Sequence, residues 1–234
     1  MLGMGNGVDM PPSSGTFYDL NSHADLAFYF KNDTDVAVAQ WTDQSGNNNH
    51  ATQATEANQA SVSGGGLVFD GENDYYNLTS GISIGNETPY TLFAVINTTS
   101  FSSANTIISN VEGEVEYIVV KSNSQIQIQQ SGDITSLNDT SRPWPNNETM
   151  VLCITKDASR NYVVYKNGTA ISFTSSTSNP GSTGDFDANA IGIIGGGASA
   201  FKGTIYELGL HERLLSDAEI SSIADLSSRT PWVR

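Results

Sequence analysis

The sequence has a single cysteine, no long apolar run and few basic residues, and each shortage excludes a class of protein. Cys153 has no second cysteine to pair with, so an internal disulfide framework and the usual cysteine-based zinc sites are excluded. No segment approaches the ~18 consecutive apolar residues of a membrane span. The first residues also lack the basic start and apolar stretch of a signal peptide, so we expect no secretion signal.

The charge balance narrows the choice of partners. Asp and Glu outnumber Lys and Arg by 25 to 10, which gives a formal net charge of −15. Such a surface repels the phosphate backbone of nucleic acids and anionic lipid headgroups. We therefore expect neither nucleic acid nor membrane as a partner.

Short runs of β-branched and aromatic residues, separated by turn residues every ~8–12 positions, predict an all-β sandwich. A strict Gln-Ile alternation over 125–129 predicts a strand with one apolar face, and Asn167-Gly168 predicts a type I′ hairpin turn. The apolar residues on both sides of Cys153 predict that it lies in a buried strand. The predicted strands are 26–30, 36–41, 67–69, 75–78, 90–96, 106–108, 117–120, 125–129, 150–155, 162–165, 170–173, 191–194 and 203–208.

One short helix is predicted near the C-terminus. Ser216 and Glu219 have the spacing of a capping box, and apolar residues follow at helical spacing. Residues 1–16 are rich in Gly, Met, Pro and Ser and predict a flexible or docking arm. We expect the sandwich to cover 17–228 and a short tail to cover 229–234.

Three stretches, in order along the chain, resemble the laminin-G-like branch of the concanavalin A-like lectin/glucanase superfamily. They are a turn at 41–51 with the pattern Trp-x-Asp-x-Ser-Gly, a turn at 69–75 with the pattern Phe-Asp-Gly-x-x-Asp-Tyr, and an ending at 201–220. The resemblance implies a two-sheet antiparallel jelly-roll sandwich with one short C-terminal helix. It also implies structural turn roles for Trp41, Asp43, Gly46, Asp70, Gly71 and Asp74.

Elementary chemistry agrees with these structural roles. A tryptophan at a strand end supplies a large buried surface. An aspartate can accept backbone N–H bonds across the following turn, and a glycine can adopt the positive φ that the turn needs. The family often binds calcium, and Asp70, Asn73 and Asp74 supply oxygens of the right type. No twelve-residue calcium loop is present, so we expect no metal or other cofactor, with a structural calcium as the alternative.

The strongest enzymatic candidate is the acidic stretch from Glu112 to Glu116. Related glucanases place such a row of carboxylates on one strand for glycoside hydrolysis. Gly113 interrupts the strand, and the stretch falls where a turn is expected, so we predict a solvated acidic turn and no enzymatic activity. His23, His50 and His211 lack the spacing of a metal or catalytic site, and we expect them at the surface or in turns.

Two tryptophans, Trp144 and Trp232, are candidates for a ligand or protein interface. A loop tryptophan can stack on a sugar ring or anchor an interface, whereas packing under a long loop is the alternative. For Trp144 both interpretations stay open.

Two functional hypotheses follow. The first is a non-enzymatic bacteriophage virion protein, a capsid decoration or a tail appendage that also contacts host-surface carbohydrate. An extracellular type of module that has neither a secretion signal nor a disulfide fits a particle that is released by lysis of the host cell. Residues 1–16 would then dock on another virion protein or on a second copy. The alternative is a carbohydrate-binding module of a secreted or surface bacterial protein. The expected location is accordingly the virion, or the cell exterior.

Overall fold

The computed structural model describes residues 24–112, 116–122, 124–138, 144–173, 175–178, 184–195 and 199–226. These residues form eighteen β-strands and one α-helix, α1 (Asp217–Ala224), with a single turn of 3₁₀ helix at Glu56–Asn58. The strands are β1 (Leu26–Phe30), β2 (Val36–Ala37), β3 (Gln40–Trp41), β4 (Ala51–Thr52), β5 (Ser61–Ser63), β6 (Gly66–Asp70), β7 (Tyr76–Ile84), β8 (Tyr90–Thr98), β9 (Asn105–Ser109), β10 (Tyr117–Ser122), β11 (Gln125–Gln130), β12 (Asp133–Asn138), β13 (Thr149–Lys156), β14 (Tyr162–Lys166), β15 (Thr169–Ala170), β16 (Ser175–Ser178), β17 (Phe186–Ile191) and β18 (Lys202–His211).

The strands form two sheets. The first sheet has the order β15-β14-β13-β8-β18-β6-β5, with β1 beside the second half of β18. The second sheet has the order β16-β12-β11-β10-β9-β17-β7-β4-β3-β2. This arrangement confirms the predicted two-sheet antiparallel sandwich with one short C-terminal helix. The predicted arm at 1–16 and tail at 229–234 lie outside the described residues.

The main apolar core lies between the two sheets. Leu92 and Ile96 of β8 and Leu152 of β13 point into it from the first sheet, and Ile126 and Ile128 of β11 point into it from the second. On β11 the intervening glutamines face away from this core. The alternation over 125–129 therefore has the physical meaning that the sequence predicts, with one face of the strand buried against the other sheet.

A second apolar cluster lies on the opposite face of the first sheet, where α1 packs. Phe93 of β8, together with Val151 and Cys153 of β13, contacts the same cluster as Ile220 and Ile223 of α1. Because β8 and β13 are covered on both faces, their sequences are continuous apolar runs. The prediction that Cys153 lies in a buried strand is confirmed.

The predicted capping box of the helix and the predicted type I′ hairpin turn are confirmed. The Ser216 hydroxyl accepts a hydrogen bond from the Glu219 backbone, and the Glu219 carboxylate accepts one from the Ser216 backbone. Asn167 and Gly168 have φ values of 49° and 78°, as a type I′ turn requires. In the described part of the chain, no helix has the length and apolar character needed to cross a bilayer.

Some strand boundaries differ from the prediction. The run at 36–41 is two short strands joined by a turn, because β2 pairs with β3. Of the predicted strand at 191–194 only Ile191 lies in a strand, as the last residue of β17, since Gly192 (φ 91°) turns the chain out of the sheet. The polar strand β12 was not predicted. It is held by backbone pairing with β11 and β16, which an apolar pattern does not reveal.

Candidate functional site

The turn after β3 is organised by Asp43. Its carboxylate accepts hydrogen bonds from the backbone N–H groups of Tyr29 (2.8 Å), Ser45 (2.9 Å) and Asn49 (3.0 Å). Gly46 has a φ of 93°, which favours glycine. The Asp43 carboxylate and Gly46 thus shape the backbone of this turn.

The turn after β6 has a similar construction. The Asp70 carboxylate accepts hydrogen bonds from the backbone N–H groups of Glu72 (2.7 Å) and Asn73 (3.3 Å), and that of Asp74 accepts one from the Asp70 N–H (2.8 Å). Asp74 is buried, and its burial raises the pKa of its carboxyl. Gly71 has a φ of 80°. The two carboxylates therefore hold the backbone of this turn.

The calcium candidates are engaged in hydrogen bonds of the turn. Calcium takes six to eight oxygen ligands, whereas Asp70 and Asp74 already accept backbone N–H bonds and the Asn73 amide donates to the Asn58 side chain at 3.3 Å. Over the described ranges, no group of three or more His, Cys, Asp or Glu side chains could hold a metal ion.

A groove of about 460 Å³, named here the first groove, opens beside this turn. It lies on the outer face of the second sheet, where the start of β7 meets the ends of β9 and β17. Its described lining residues come from the 3₁₀ turn, the turn after β6, β7 and the segments after β9 and β17. They are Asn58, Asn73, Tyr75, Asn77, Val111, Glu112, Ile193, Ile194 and Gly195.

Backbone contacts set the positions of the groove side chains. The Tyr75 N–H donates to the Asn58 carbonyl at 3.2 Å, which ties the 3₁₀ turn to the start of β7. Asn77 points outward because its neighbours Tyr76 and Leu78 face the core. The far wall is the segment after β17. It folds across β9, where the Ser109 hydroxyl donates to the Ile193 carbonyl.

Several polar groups of the first groove are available to a ligand. Within the described residues, the Asn77 side chain, the Glu112 carboxylate and the Tyr75 hydroxyl form no hydrogen bond. Asn77 and Glu112 are exposed, and Tyr75 is partly exposed. Ile193 and Val111 add apolar surface. The groove thus combines amide groups that both donate and accept hydrogen bonds with an aromatic ring and an apolar wall.

A second groove of about 310 Å³ adjoins the first on the same face of the sheet. It is lined by Ser80 to Ser83 of β7, by residues 187–189 of β17, and by Asn110 and Glu112 after β9. Glu112 lines both grooves. The two grooves are therefore neighbours along β7.

The predicted interface tryptophans do not take part in these grooves. Trp144 is 5% exposed and belongs to the main core, with the Lys166 ammonium 6.0 Å from its ring centre. This position favours core packing over stacking on a ligand. Trp41 is fully buried, and its ring N–H donates to the Lys31 carbonyl. Trp232 lies outside the described residues.

The acidic stretch divides into residues with different environments. Glu112 is exposed at the groove, whereas Glu116 is 3% exposed and accepts hydrogen bonds from the backbone N–H groups of Ser131 and Asp187. The prediction of a solvated acidic turn is therefore wrong for Glu116. Its carboxylate is buried because it joins two neighbouring parts of the second sheet. Glu114 lies outside the described residues.

The histidine prediction needs one correction. His50 lies in the turn after β3, where its Nδ1 accepts a hydrogen bond from the Asp43 N–H at 3.1 Å. His211 is fully buried, with its Nδ1 3.3 Å from the Asp25 carboxylate. It is buried because β18 continues through position 211 and pairs there with β1. His23 lies outside the described residues.

The sequence does not predict this groove as a binding site, although it marks Asn73 as a calcium candidate and Glu112 as part of an enzymatic candidate. Tyr75 is the last residue of the turn motif at 69–75 and the first of the predicted strand at 75–78, and Asn77 follows it at the spacing that returns to the same strand face. That spacing was the available signal. Nothing local connects Asn58, Glu112 and Ile193 with one another, since the fold brings them together from distant positions.

Solved structures with a similar fold include two of the sialidase of Trypanosoma rangeli. The first has a TM-score of 0.63 and 17% identity, and covers 88% of this chain and 33% of the sialidase. The second, in complex with sialic acid, has a TM-score of 0.62 and 16% identity over 88% and 33% of the two chains. The binding domain of Paraclostridial Mosquitocidal Protein 1 has a TM-score of 0.62 and 16% identity, over 86% of this chain and 52% of that chain.

This chain thus spans about a third of the sialidase and about half of the mosquitocidal protein chain, and at these identities the likeness concerns the fold. A comparison with curated proteins finds no match. The laminin-G model of the concanavalin A-like lectin/glucanases superfamily matches residues 70–221, which is more than half of the chain. The chain therefore belongs to this laminin-G-like family of the concanavalin A-like superfamily.

Proposed function

We propose that this chain is a non-enzymatic carbohydrate-binding module and that the first groove holds the sugar. The observation that carries the proposal is the partly exposed ring of Tyr75 beside three asparagine side chains in one groove. A sugar ring presents hydroxyl groups at its edge and C–H groups on its faces. Amides can pair with the hydroxyls, and an aromatic ring can pack on a C–H face.

The carboxylates near the groove favour binding over hydrolysis. Retaining glycosidases use two carboxyl groups ~5–5.5 Å apart, one as nucleophile and one as acid/base. Glu112 is the carboxylate that lines the first groove among the described residues, and the buried Glu116 carboxylate accepts hydrogen bonds from the backbone N–H groups of Ser131 and Asp187. We expect no release of reducing ends when the protein is incubated with a bound oligosaccharide.

The test is a glycan-binding screen followed by titration of the best ligand into variants. Tyr75→Ala should weaken binding at least about tenfold, because the central aromatic contact of a small interface carries much of the affinity. Tyr75→Phe keeps the ring and should retain most of the affinity. Tyr206→Ala removes a partly buried tyrosine from the opposite sheet and should leave affinity unchanged.

Two results would contradict the proposal. One is wild-type protein that binds no glycan in the screen. The other is Tyr75→Ala protein that is folded, with an unchanged circular dichroism spectrum, and binds as well as wild type. The titration is repeated in EDTA, where we expect the same affinity, since Asp70 and Asp74 are engaged with the backbone.

For the biological setting, we propose a bacteriophage virion, as a capsid decoration or tail appendage, with a secreted or surface bacterial protein as the alternative. The support is compositional: one cysteine, a net charge of −15 and a glycine-rich stretch at 1–16 that could dock on another virion protein or a second copy. Imaging of the native assembly tests this setting. Ordered copies on a capsid or tail are the expected result, and a monomer free of particles would reject it.

A further inference from the structure

The first and second grooves form one trough along β7, which we name the β7 trough. The first groove contains Tyr75 and Asn77, the second contains Ser80 to Ser83, and Glu112 lines both. β7 bulges between Asn77 and Ile82, so Tyr76 to Ser83 lies opposite only Ile191 to Asp187 of β17, a distance of roughly 13 Å at ~3.3 Å per residue. This length exceeds that of one sugar ring and suits a short chain of rings better than a single terminal sugar.

The charged residues described in the β7 trough are all negative. Its charged described lining residues are Glu112 and Asp187, and no lysine or arginine is among the residues described there. Lys202 lies at the neighbouring turn, beside Gly71, and lines neither groove.

We infer that the ligand of the β7 trough is an uncharged oligosaccharide lying along β7, and not a sugar acid such as sialic acid. The inference rests on the proposed carbohydrate-binding function. A sugar carboxylate is recognised by arginine or lysine donors, which form the short charge-assisted hydrogen bonds that offset its desolvation. The β7 trough instead presents amides, hydroxyls and carboxylates, which match sugar hydroxyls and repel an anion.

The fold relationship does not predict this specificity. About a third of the Trypanosoma rangeli sialidase, whose structure contains sialic acid, has a similar fold at 16% identity. Ligand choice depends on the side chains of a site and not on the fold that carries it. For this chain, the sign of the charge along β7 is the deciding property.

The experiment compares neutral glycans with the same glycans carrying a terminal sialic acid, on one array and then by titration of the best neutral ligand and its sialylated form. We expect the sialylated form to bind at least tenfold more weakly. Longer neutral oligomers should bind more tightly than the disaccharide. Glu112→Gln should reduce the discrimination about fivefold, which is the effect of one unit charge ~4 Å away in a water-like dielectric.

The outcomes separate the two proposals. Sialylated glycans that bind as tightly as their neutral forms, with loss of binding in Tyr75→Ala, would overturn the inference and leave the carbohydrate-binding function standing. Neutral binding that does not depend on Tyr75 would place the site elsewhere and overturn both. The absence of any glycan binding would reject the proposed function, and the inference with it.

Discussion

The two sheets of the sandwich differ in what covers their outer faces. On the first sheet, α1 packs its Ile220 and Ile223 against the cluster that contains Phe93. On the outer face of the second sheet, polar side chains form hydrogen bonds with one another, as Gln127 does with Tyr117. Beside β7, the two grooves are open on this face. One outer face therefore belongs to the core, and the other is available for binding.

This difference explains two contrasting sequence patterns. A strand covered on both faces has a continuous apolar run, as at 90–96 and 150–155. A strand with one open face alternates, as at 125–129. The pattern of a strand thus indicates not only that it is buried but on how many faces. The open face is the one that can carry polar recognition groups.

The largest expected effect on stability comes from truncating a side chain on the covered face of the first sheet. Phe93 is fully buried, with its ring centre 5.8 Å from that of Tyr29, and it lies over Gly209, where an added Cβ would come within 2.4 Å of the ring. Phe93→Ala should lower the free energy of unfolding by about 3–5 kcal/mol because it leaves a cavity. Urea denaturation measures this. Phe93→Leu keeps more apolar volume and should cost less, and equal costs for both variants would contradict the cavity explanation.

A smaller effect is expected on the open face. The Gln127 side chain accepts from the Tyr117 hydroxyl (2.9 Å) and the Lys121 ammonium (3.3 Å) and donates to the Ser136 hydroxyl (2.9 Å). Gln127→Ala should cost about 1–3 kcal/mol, because partly buried partners lose their hydrogen bonds. Gln129→Ala, on the same strand face, is the matched control and should change stability by less than about 0.5 kcal/mol. A cost for Gln127→Ala as large as that for Phe93→Ala would show that this face is also part of the core.

The smallest effect concerns pH and the start of α1. Hydrogen bonds from Arg213 outweigh the desolvation of the Glu219 carboxyl and, with those from Ser216, lower its pKa from 4.5 to about 2. Because the folded-state pKa is the lower one, this stabilisation is present above pH 4.5 and is lost as the pH falls through about 2. Glu219→Gln should cost about 0.5–1 kcal/mol at neutral pH, with a difference from wild type that shrinks in acid.

Urea denaturation at a series of pH values checks this expectation. Glu212→Gln, which changes an exposed carboxylate near the same helix start, is the control and should follow the wild-type curve. A Glu219→Gln difference that stays constant from neutral to acidic pH would mean that the carboxylate charge does not stabilise α1.

Local patterns were sufficient for much of the fold. The two-residue alternation, the Asn167-Gly168 turn and the capping box at Ser216 each act over a few residues, so they could be interpreted without knowing the rest of the molecule. Boundaries failed where a distant contact decides them. β12 depends on backbone pairing with two other strands, and Gly192 ends β17 at a point where the apolar run continues.

The sequence by itself determined the class of fold, the turns of Asp43 and Asp70, the cap of α1 and the net charge. Those properties follow from short-range periodicity, side-chain chemistry and composition. Only the tertiary structure decided which outer face is covered, that Trp144 and Glu116 are buried, and that Tyr75 meets Asn58 and Glu112 in one groove. The physical reason is that antiparallel pairing of β7, β9 and β17 brings together side chains that no local pattern connects.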